Sequence, residues 1–210
     1  MLISGRGSNM SALIEAARAP DFPARIVLVL ANKADAGGLE RARAEGIATA
    51  VLSHRGHKDR EAYDRLMHAE IEASGAEIVC LAGFMRLLSP WFCRQWEGRL
   101  INIHPALLPS FKGLDTHRRA IEAGVKLHGA TVHFVVPEMD EGPIILQAAV
   151  PVLDSDTEEA LAARVLAQEH RLYPLALRYV AEGRVRIADN RTFCTGEARQ
   201  SHALISPDFG

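Results

Sequence analysis

The segment Leu100-Ile-Asn-Ile-His-Pro105 places an amide and an imidazole two positions apart in a short apolar run. Residues two apart in a β-strand point to the same face, so Asn102 and His104 are expected to share one space. Pro105 ends the strand and places the pair at its carboxyl end, where open α/β sheets bind ligands. The pair suits stabilisation of a carbonyl oxygen that becomes negative, together with proton transfer. The alternative is two satisfied polar residues that end a strand.

Three acidic residues lie close together in the segment Val136-Pro-Glu-Met-Asp-Glu-Gly-Pro143, between two apolar runs. A carboxylate in this segment could orient His104 and raise the pKa of its imidazole through the opposite charge. The Gly-Pro pair that follows predicts a tight turn, which could aim a carboxylate. Loop acids are mostly solvated, and spacing alone does not choose among Glu138, Asp140 and Glu141.

The N-terminus carries a glycine-rich loop, Ser4-Gly-Arg-Gly-Ser-Asn9, between a short apolar run and a helical pattern. Backbone N–H groups at such a turn favour an anion such as a single phosphate, and the Ser8 and Asn9 side chains can add donors. A dinucleotide fingerprint needs a third glycine where Met10 stands, and an acidic residue where this chain has Asn32-Lys33. A Walker loop needs Gly-Lys-Ser/Thr, which is absent. The remaining alternative is a tight strand-to-helix turn without a ligand.

The elements that must position these residues alternate along the first half of the chain. Near-continuous apolar runs predict buried strands at 26–30, 78–82 and 100–103. Helical patterns lie between them at 10–18, 38–45, 59–74 and 90–97. This alternation predicts an α/β fold, which we expect to be a Rossmann-like three-layer sandwich with a mostly parallel sheet.

The pattern changes in the second half of the chain. The runs 131–136 and 144–150 are separated by a short loop, which predicts an antiparallel addition to the sheet. Asp156 is predicted to cap a long helix, with Glu159 three positions on. Pro174 should kink that helix or end it near Tyr173. Beyond Asn190 the pattern fades, which predicts a loosely held tail.

Composition excludes several classes of protein. The 210 residues are 48% hydrophobic and 24% charged, as in one globular domain, with neither repeats nor low-complexity linkers. The formal charge of −2 gives no electrostatic footprint for nucleic acid or an anionic membrane. The longest apolar run, 26–31, is far shorter than the roughly 20 residues of a membrane helix, and the N-terminus lacks a secretory pattern. The three cysteines, Cys80, Cys93 and Cys194, are widely separated and form no CxxC motif, which is typical of free thiols. We therefore expect a soluble cytoplasmic protein that acts on small molecules.

Several segments together resemble the folate-dependent formyltransferases. They are Gly5-Arg-Gly-Ser-Asn9, Asn32-Lys-Ala-Asp35, Leu81-Ala-Gly-Phe-Met-Arg86, Asn102-Ile-His-Pro-Ala-Leu-Leu-Pro109, Asp140-Glu-Gly-Pro143 and Gln168-Glu-His170. The resemblance runs from Ile3 to about Asp189. It implies a formyltransferase domain over 1–189, with ribonucleotide binding in its N-terminal part, folate binding and catalysis in its C-terminal part, and a tail over 190–210. The N-terminal loop points to the branch that formylates glycinamide ribonucleotide from the cosubstrate 10-formyltetrahydrofolate, in purine biosynthesis.

The resemblance also implies roles for individual residues. The implied catalytic residues are Asn102, His104 and Asp140, which the family selects from the three loop acids. The implied ribonucleotide contacts are Gly7, Ser8, Asn9, Met10, Ser11 and Glu169. The implied folate contacts are Arg60, Met85, Arg86, Leu87, Leu88, Asn102, Val136, Pro137, Glu138, Met139 and Asp140. Without the resemblance, Arg60 and Glu169 would be ordinary solvated charges of helices, and 85–88 a turn with core residues.

Other interpretations are weaker. A formyltetrahydrofolate hydrolase shares this constellation, but typically carries a further N-terminal domain for which 210 residues leave no room. Relatives that formylate methionyl-tRNA or amino sugars usually have a further C-terminal domain. A nucleotide-binding module or an NAD-dependent oxidoreductase would need the third glycine and the acidic residue that this chain lacks. The spacings of His117, His128 and His133 fit no compact ligand motif, so no metal is expected. Lys112 is either an extra phosphate contact or a solvated loop charge.

Overall fold

A seven-stranded sheet forms the centre of the molecule in the computed structural model, which describes residues 1–53, 56–57, 59–196 and 206. Its strands are β1 (Leu2–Ile3), β2 (Val29–Ala31), β3 (Thr49–Val51), β4 (Val79–Leu81), β5 (Leu100–His104), β6 (Leu127–Phe134) and β7 (Ile144–Pro151). Their order across the sheet is β3-β2-β1-β4-β5-β6-β7. The first five strands are parallel, and β6 and β7 are added antiparallel. The prediction of a mostly parallel sheet with an antiparallel addition is confirmed.

Helices cover both faces of this sheet. They are α1 (Ser8–Ala17), α2 (Gly38–Ala44), α3 (Arg60–Ala73), α4 (Pro90–Gln95), α5 (Thr116–Glu122) and α6 (Glu158–Ala181). Alternate strand residues point to opposite faces, so Ile3 and Leu2 enter two separate cores. One core holds the buried sides of α1, α2, α5 and α6, and the other holds those of α3 and α4. The predicted three-layer arrangement is confirmed.

Two details of the long helix α6 differ from prediction. Its N-cap is Thr157, whose Oγ1 accepts from Ala160 N, whereas Asp156 accepts from Leu153 N and pairs with Arg164. The helix does not end near Tyr173, because it continues through Pro174 to Ala181. Proline removes only one backbone hydrogen bond, and the apolar residues on both sides of it are buried against the sheet. Burial of that face therefore outweighs the local cost.

A second, two-stranded sheet follows α6. It is a hairpin of β8 (Val185–Ala188) and β9 (Arg191–Cys194), and its turn residues Asp189 and Asn190 both have positive φ. Thr192 Oγ1 donates to Ile144 O, which joins the hairpin to the edge strand β7. The predicted boundary between 189 and 190 falls inside this turn. Most of the predicted tail, 197–205 and 207–210, lies outside the described residues.

The described part of the chain contains no helix that is both long enough and apolar enough to cross a membrane.

Candidate active site

The side chains of Asn102 and His104 lie at the carboxyl end of β5, as predicted. In the antiparallel register with β6, Asn102 is opposite His133 and His104 is opposite Thr131. His133 Nδ1 donates to Phe134 O at 2.8 Å, so its Nε2 is left as an acceptor. Asn102 Nδ2 lies 3.2 Å from that Nε2 and donates to it. One hydrogen of the Asn102 amide is therefore directed at His133, and the other is available to a ligand.

Asp140 is the loop acid that lies beside His104. The distance from His104 Nδ1 to Asp140 Oδ2 is 3.5 Å, while His104 Nε2 donates to Phe111 O at 3.0 Å. Of the other two acids, Glu141 forms an ion pair with Lys112 at 2.8 Å, and Glu138 is exposed. A protonated His104 can therefore donate from both ring nitrogens, one of them to a carboxylate.

The loop that carries Asp140 is held in one shape by its backbone. Asp140 itself has a φ of 57°, and its Oδ2 accepts from Gly113 N at 2.9 Å. A Cβ at Gly142 would lie 1.8 Å from Phe134 O, so only glycine fits there. Asp140 Oδ1 also lies 3.9 Å from His133 Nε2. The carboxylate thus lies between the imidazoles of His104 and His133.

Two further histidines lie behind the site. The rings of His117 and His128 meet edge to face with centroids 5.3 Å apart, and His128 also contacts the Phe111 ring. Burial and the neighbouring His117 lower the pKa of His128 to about 4. Burial likewise lowers the pKa of His117 and of His133. These three imidazoles therefore stay neutral beside His104.

The glycine-rich loop forms the start of α1, beside the middle of α6. Gly7 is the N-cap with a φ of 71°, and no side chain caps the first turn. The amide groups of that turn are therefore open to an anion. Of the predicted contacts here, the Met10 side chain is fully buried, and Ser11 Oγ donates to Gly7 O at 3.0 Å. Met10 could reach a ligand only through its backbone.

Asn9 and Glu169 link the glycine-rich loop to α6. Asn9 Nδ2 donates to Glu169 Oε2 at 2.6 Å. Glu169 is 7% exposed, and this burial raises the pKa of its carboxyl despite the hydrogen bond from Asn9. Without the family resemblance, the sequence predicts that Glu169 is a solvated acid of a helix, and that prediction is wrong. Two residues that lie 160 positions apart thus form one polar site.

Most of the predicted folate residues form two groups, of which one follows β4 and the other lies in the loop that carries Asp140. The side chains of Met85 and Leu87 are 65% and 53% exposed, whereas Leu88 is buried in the core with α3 and α4. The Arg86 guanidinium lies 4.5 Å from the centroid of the Tyr63 ring. Only some of these side chains can therefore contact a ligand directly.

The rest of this predicted set is accessible to different degrees. Arg60 is exposed at the start of α3, and in the other loop Val136 is half-buried while Pro137, Glu138 and Met139 are exposed. A cavity of about 180 Å³ lies next to Asp140, between the segments 108–112 and 140–144. Lys112 lines this cavity and pairs with Glu141.

His133 is the polar residue that the sequence did not assign to this site. In the sequence it stood only among the candidates for a metal site. The signal was the alternation in Thr131-Val-His133, which places both polar side chains on the face of the sheet that carries Asn102 and His104. Within the described residues, no group of three or more His, Cys, Asp or Glu side chains could hold a metal ion.

Known proteins share this sequence over most of its length. The family model for formyl transferases matches residues 1–177. The chain is 49% identical to the phosphoribosylglycinamide formyltransferase of Escherichia coli over 197 residues, which are 94% of this chain and 93% of that protein. It is 50% identical to the trifunctional purine biosynthetic protein adenosine-3 of Bos taurus over 194 residues. That match covers 92% of this chain but 19% of the much longer bovine protein.

Solved structures of similar proteins share this fold. The glycinamide ribonucleotide transformylase 1 of Symbiobacterium toebii superposes with a TM-score of 0.89 and 47% sequence identity, covering 92% of this chain and 91% of that one. Sequence and fold therefore lead to one conclusion: the chain belongs to the formyl transferase family.

Proposed function

We propose that this chain transfers the formyl group of 10-formyltetrahydrofolate to the amine of glycinamide ribonucleotide, in purine biosynthesis. The observation that carries the proposal is the convergence of Asn102, His104 and Asp140 at one strand end. The family and the 49% identity to the Escherichia coli phosphoribosylglycinamide formyltransferase support both the reaction and its acceptor. The products are formylglycinamide ribonucleotide and tetrahydrofolate.

In the proposed reaction, the amine of the ribonucleotide attacks the formyl carbon. The carbonyl oxygen becomes negative as a tetrahedral intermediate forms, and Asn102 donates its free amide hydrogen to that oxygen. Protonated His104 adds positive charge beside it, and Asp140 stabilises that charge. The attacking nitrogen loses a proton, the folate nitrogen gains one, and the bond from that nitrogen to the formyl carbon breaks. Asp140 lies where it can assist this transfer.

The two ends of the site suit the two substrates. The open amides of Gly7, Ser8 and Asn9 suit a phosphate, and buried Glu169 suits a neutral or cationic polar group of the same ligand. Across β5, exposed apolar side chains of 85–88 and 136–139 suit a flat heteroaromatic ring such as the pterin. We place the ribonucleotide at α1 and α6, and the folate between these two loops.

The test measures release of tetrahydrofolate from 10-formyltetrahydrofolate, with and without glycinamide ribonucleotide. Release should require the ribonucleotide and should be abolished by His104→Ala. His68→Ala is a matched control, because the His68 ring on α3 contacts the Trp91 and Trp96 rings and none of the proposed site residues lies among them. Release without the ribonucleotide would identify a hydrolase instead. A chain that releases no tetrahydrofolate under either condition would contradict the proposal.

A further inference from the structure

The segment Met85–Leu88 is attached at both ends to side chains from other parts of the fold. Met85 N donates to Ser4 Oγ at 2.8 Å, and Ser4 N donates to Gly83 O at 3.1 Å. Directly after the segment, Ser89 N donates to Asp64 Oδ2 at 2.6 Å. Only three residues, 86–88, lie between Met85 and Ser89, so the backbone of the segment has little freedom.

Asp64 is a carboxyl group without solvent contact, on the inner face of α3. It is 0% exposed, and burial raises its pKa, while hydrogen bonds from Ser89 and the positive charges of Arg86 and Arg60 act in the opposite direction. No ion pair joins Asp64 to a cation among the described residues. A buried carboxyl group is costly unless it is paired and hydrogen-bonded, and an apolar side chain would fill this space with less penalty.

Ser89 transmits this attachment to the next helix. Its Oγ accepts from Phe92 N at 3.2 Å and so caps α4, whose first residue is Pro90. Because Asp64 holds the backbone of Ser89, it sets the point at which α4 begins. It therefore also sets the point at which Met85–Leu88 ends.

The two attachments determine what the segment presents to solvent. They leave Met85 and Leu87 largely exposed, while Arg86 is turned back onto the Tyr63 ring of α3. The segment leaves the sheet beside Asn102, because Leu81 at the end of β4 is paired in register with that residue. The exposed apolar side chains thus lie next to the strand end that carries Asn102.

We propose that Asp64 and Ser4 are positioning residues for the formyl folate, which hold the backbone of Met85–Leu88 in the shape that receives the pterin. Neither side chain contacts the cosubstrate itself. The inference rests on the proposed function, because it requires the folate to bind at this segment. It assigns a purpose to the buried carboxyl of Asp64 and to the hydroxyl of Ser4, which the reaction itself does not use.

The test uses the full chain with Asp64→Leu, which has a similar shape but no acceptor for Ser89 N, and Ser4→Ala, one variant for each attachment. Titration calorimetry measures binding of tetrahydrofolate and, separately, of glycinamide ribonucleotide, and steady-state kinetics give kcat and KM. Loss of the backbone hydrogen bond at either attachment should weaken tetrahydrofolate binding about tenfold, with ribonucleotide binding unchanged and kcat within about twofold. Ser4→Thr keeps the hydroxyl and should restore binding. Glu70→Gln, an exposed acid on the same helix, is the matched control and should change nothing.

Several results would overturn the inference. Unchanged tetrahydrofolate binding in Ser4→Ala would do so, even if Asp64→Leu failed to fold. If the variants weaken the binding of tetrahydrofolate and of the ribonucleotide equally, the effect is a general structural one instead. The wild-type chain separates this inference from the proposed function: tetrahydrofolate binding without formylation of the ribonucleotide would contradict the proposed function alone. A wild-type chain that does not bind tetrahydrofolate would overturn both.

Discussion

His133 and Asn102 meet across the antiparallel pair of β5 and β6, with His133 Nε2 3.2 Å from Asn102 Nδ2. The Phe134 carbonyl accepts from His133 Nδ1 and so leaves Nε2 as an acceptor. Burial lowers the pKa of His133, which keeps the imidazole neutral at physiological pH. A neutral acceptor therefore fixes the amide that we expect to donate to the developing oxyanion.

Replacing His133 with Phe should lower kcat by about tenfold and change KM little, because Asn102 would lose the acceptor that orients it while keeping its own donor. Steady-state kinetics at saturating concentrations of both substrates measure this. His68→Phe, an equivalent substitution on α3, should leave kcat unchanged. A His133→Phe enzyme with the kcat of the wild type would show that Asn102 needs no partner.

Replacing Asn102 with Ala should lower kcat by about 10²–10³, the usual effect of losing one oxyanion donor. If His133 acts only through Asn102, the double variant Asn102→Ala/His133→Phe should be no slower than Asn102→Ala alone. Single-turnover rates of the two single variants and the double variant test this directly. Effects that multiply in the double variant would instead mean that His133 contributes independently.

The hydrogen bond between Asn9 and Glu169 predicts a change in ribonucleotide binding. Glu169→Gln keeps an oxygen acceptor for Asn9 but removes the charge. The Kd for glycinamide ribonucleotide should rise about tenfold, while binding of tetrahydrofolate stays the same. Titration calorimetry with each ligand separately measures both values. Glu159→Gln, an exposed acid in the first turn of α6, serves as the control.

The same substitution should change how stability depends on pH. Burial raises the pKa of Glu169 in the folded chain, so the folded state favours the protonated form. Its contribution to stability is complete below the ordinary pKa of about 4.3, and it is lost as pH rises through the folded value. The Tm of Glu169→Gln relative to that of the wild type should therefore increase from about pH 4 to pH 7. If scanning calorimetry finds that the difference in Tm does not depend on pH, the raised pKa of Glu169 is contradicted.

Gly142 closes the loop of Asp140 against Phe134. An alanine Cβ would lie 1.8 Å from the Phe134 carbonyl oxygen, so the loop would have to move and take Asp140 with it. Gly142→Ala should lower the free energy of unfolding by about 2 kcal/mol and also lower kcat. Urea denaturation and the transfer assay measure the two effects. Gly37→Ala is the control for stability, because a Cβ there meets nothing within 4 Å.

Periodicity predicted most of the elements, because alternation in strands and helical spacing are local properties of the chain. The patterns at 59–74 and 90–97 correspond to α3 and α4 to within a few residues. Prediction was poorer where a distant partner decides the outcome. The ladder of β2 begins at Val29, three residues after the predicted start, because its partners pair only from there. The hairpin of β8 and β9 and the helix α5 carried too little apolar pattern to be recognised.

The sequence by itself determined which residues could do the chemistry. Asn102 and His104 share a face because strand residues alternate, and Pro105 places them at the strand end. The glycine-rich loop before α1 indicated an anion site for the same kind of local reason. Family motifs distributed over the chain, and not spacing, singled out Asp140 among the loop acids.

Only the tertiary structure decided which side chains meet. The antiparallel register of β6 brings His133 to Asn102, and the loop shape fixed by Gly142 brings Asp140 to 3.5 Å from His104. The burial of Asp64 and of Glu169 likewise depends on helices packing against distant segments. These contacts join residues far apart in the chain, and a single sequence carries no local signal for them, because burial and register are settled by the whole fold at once.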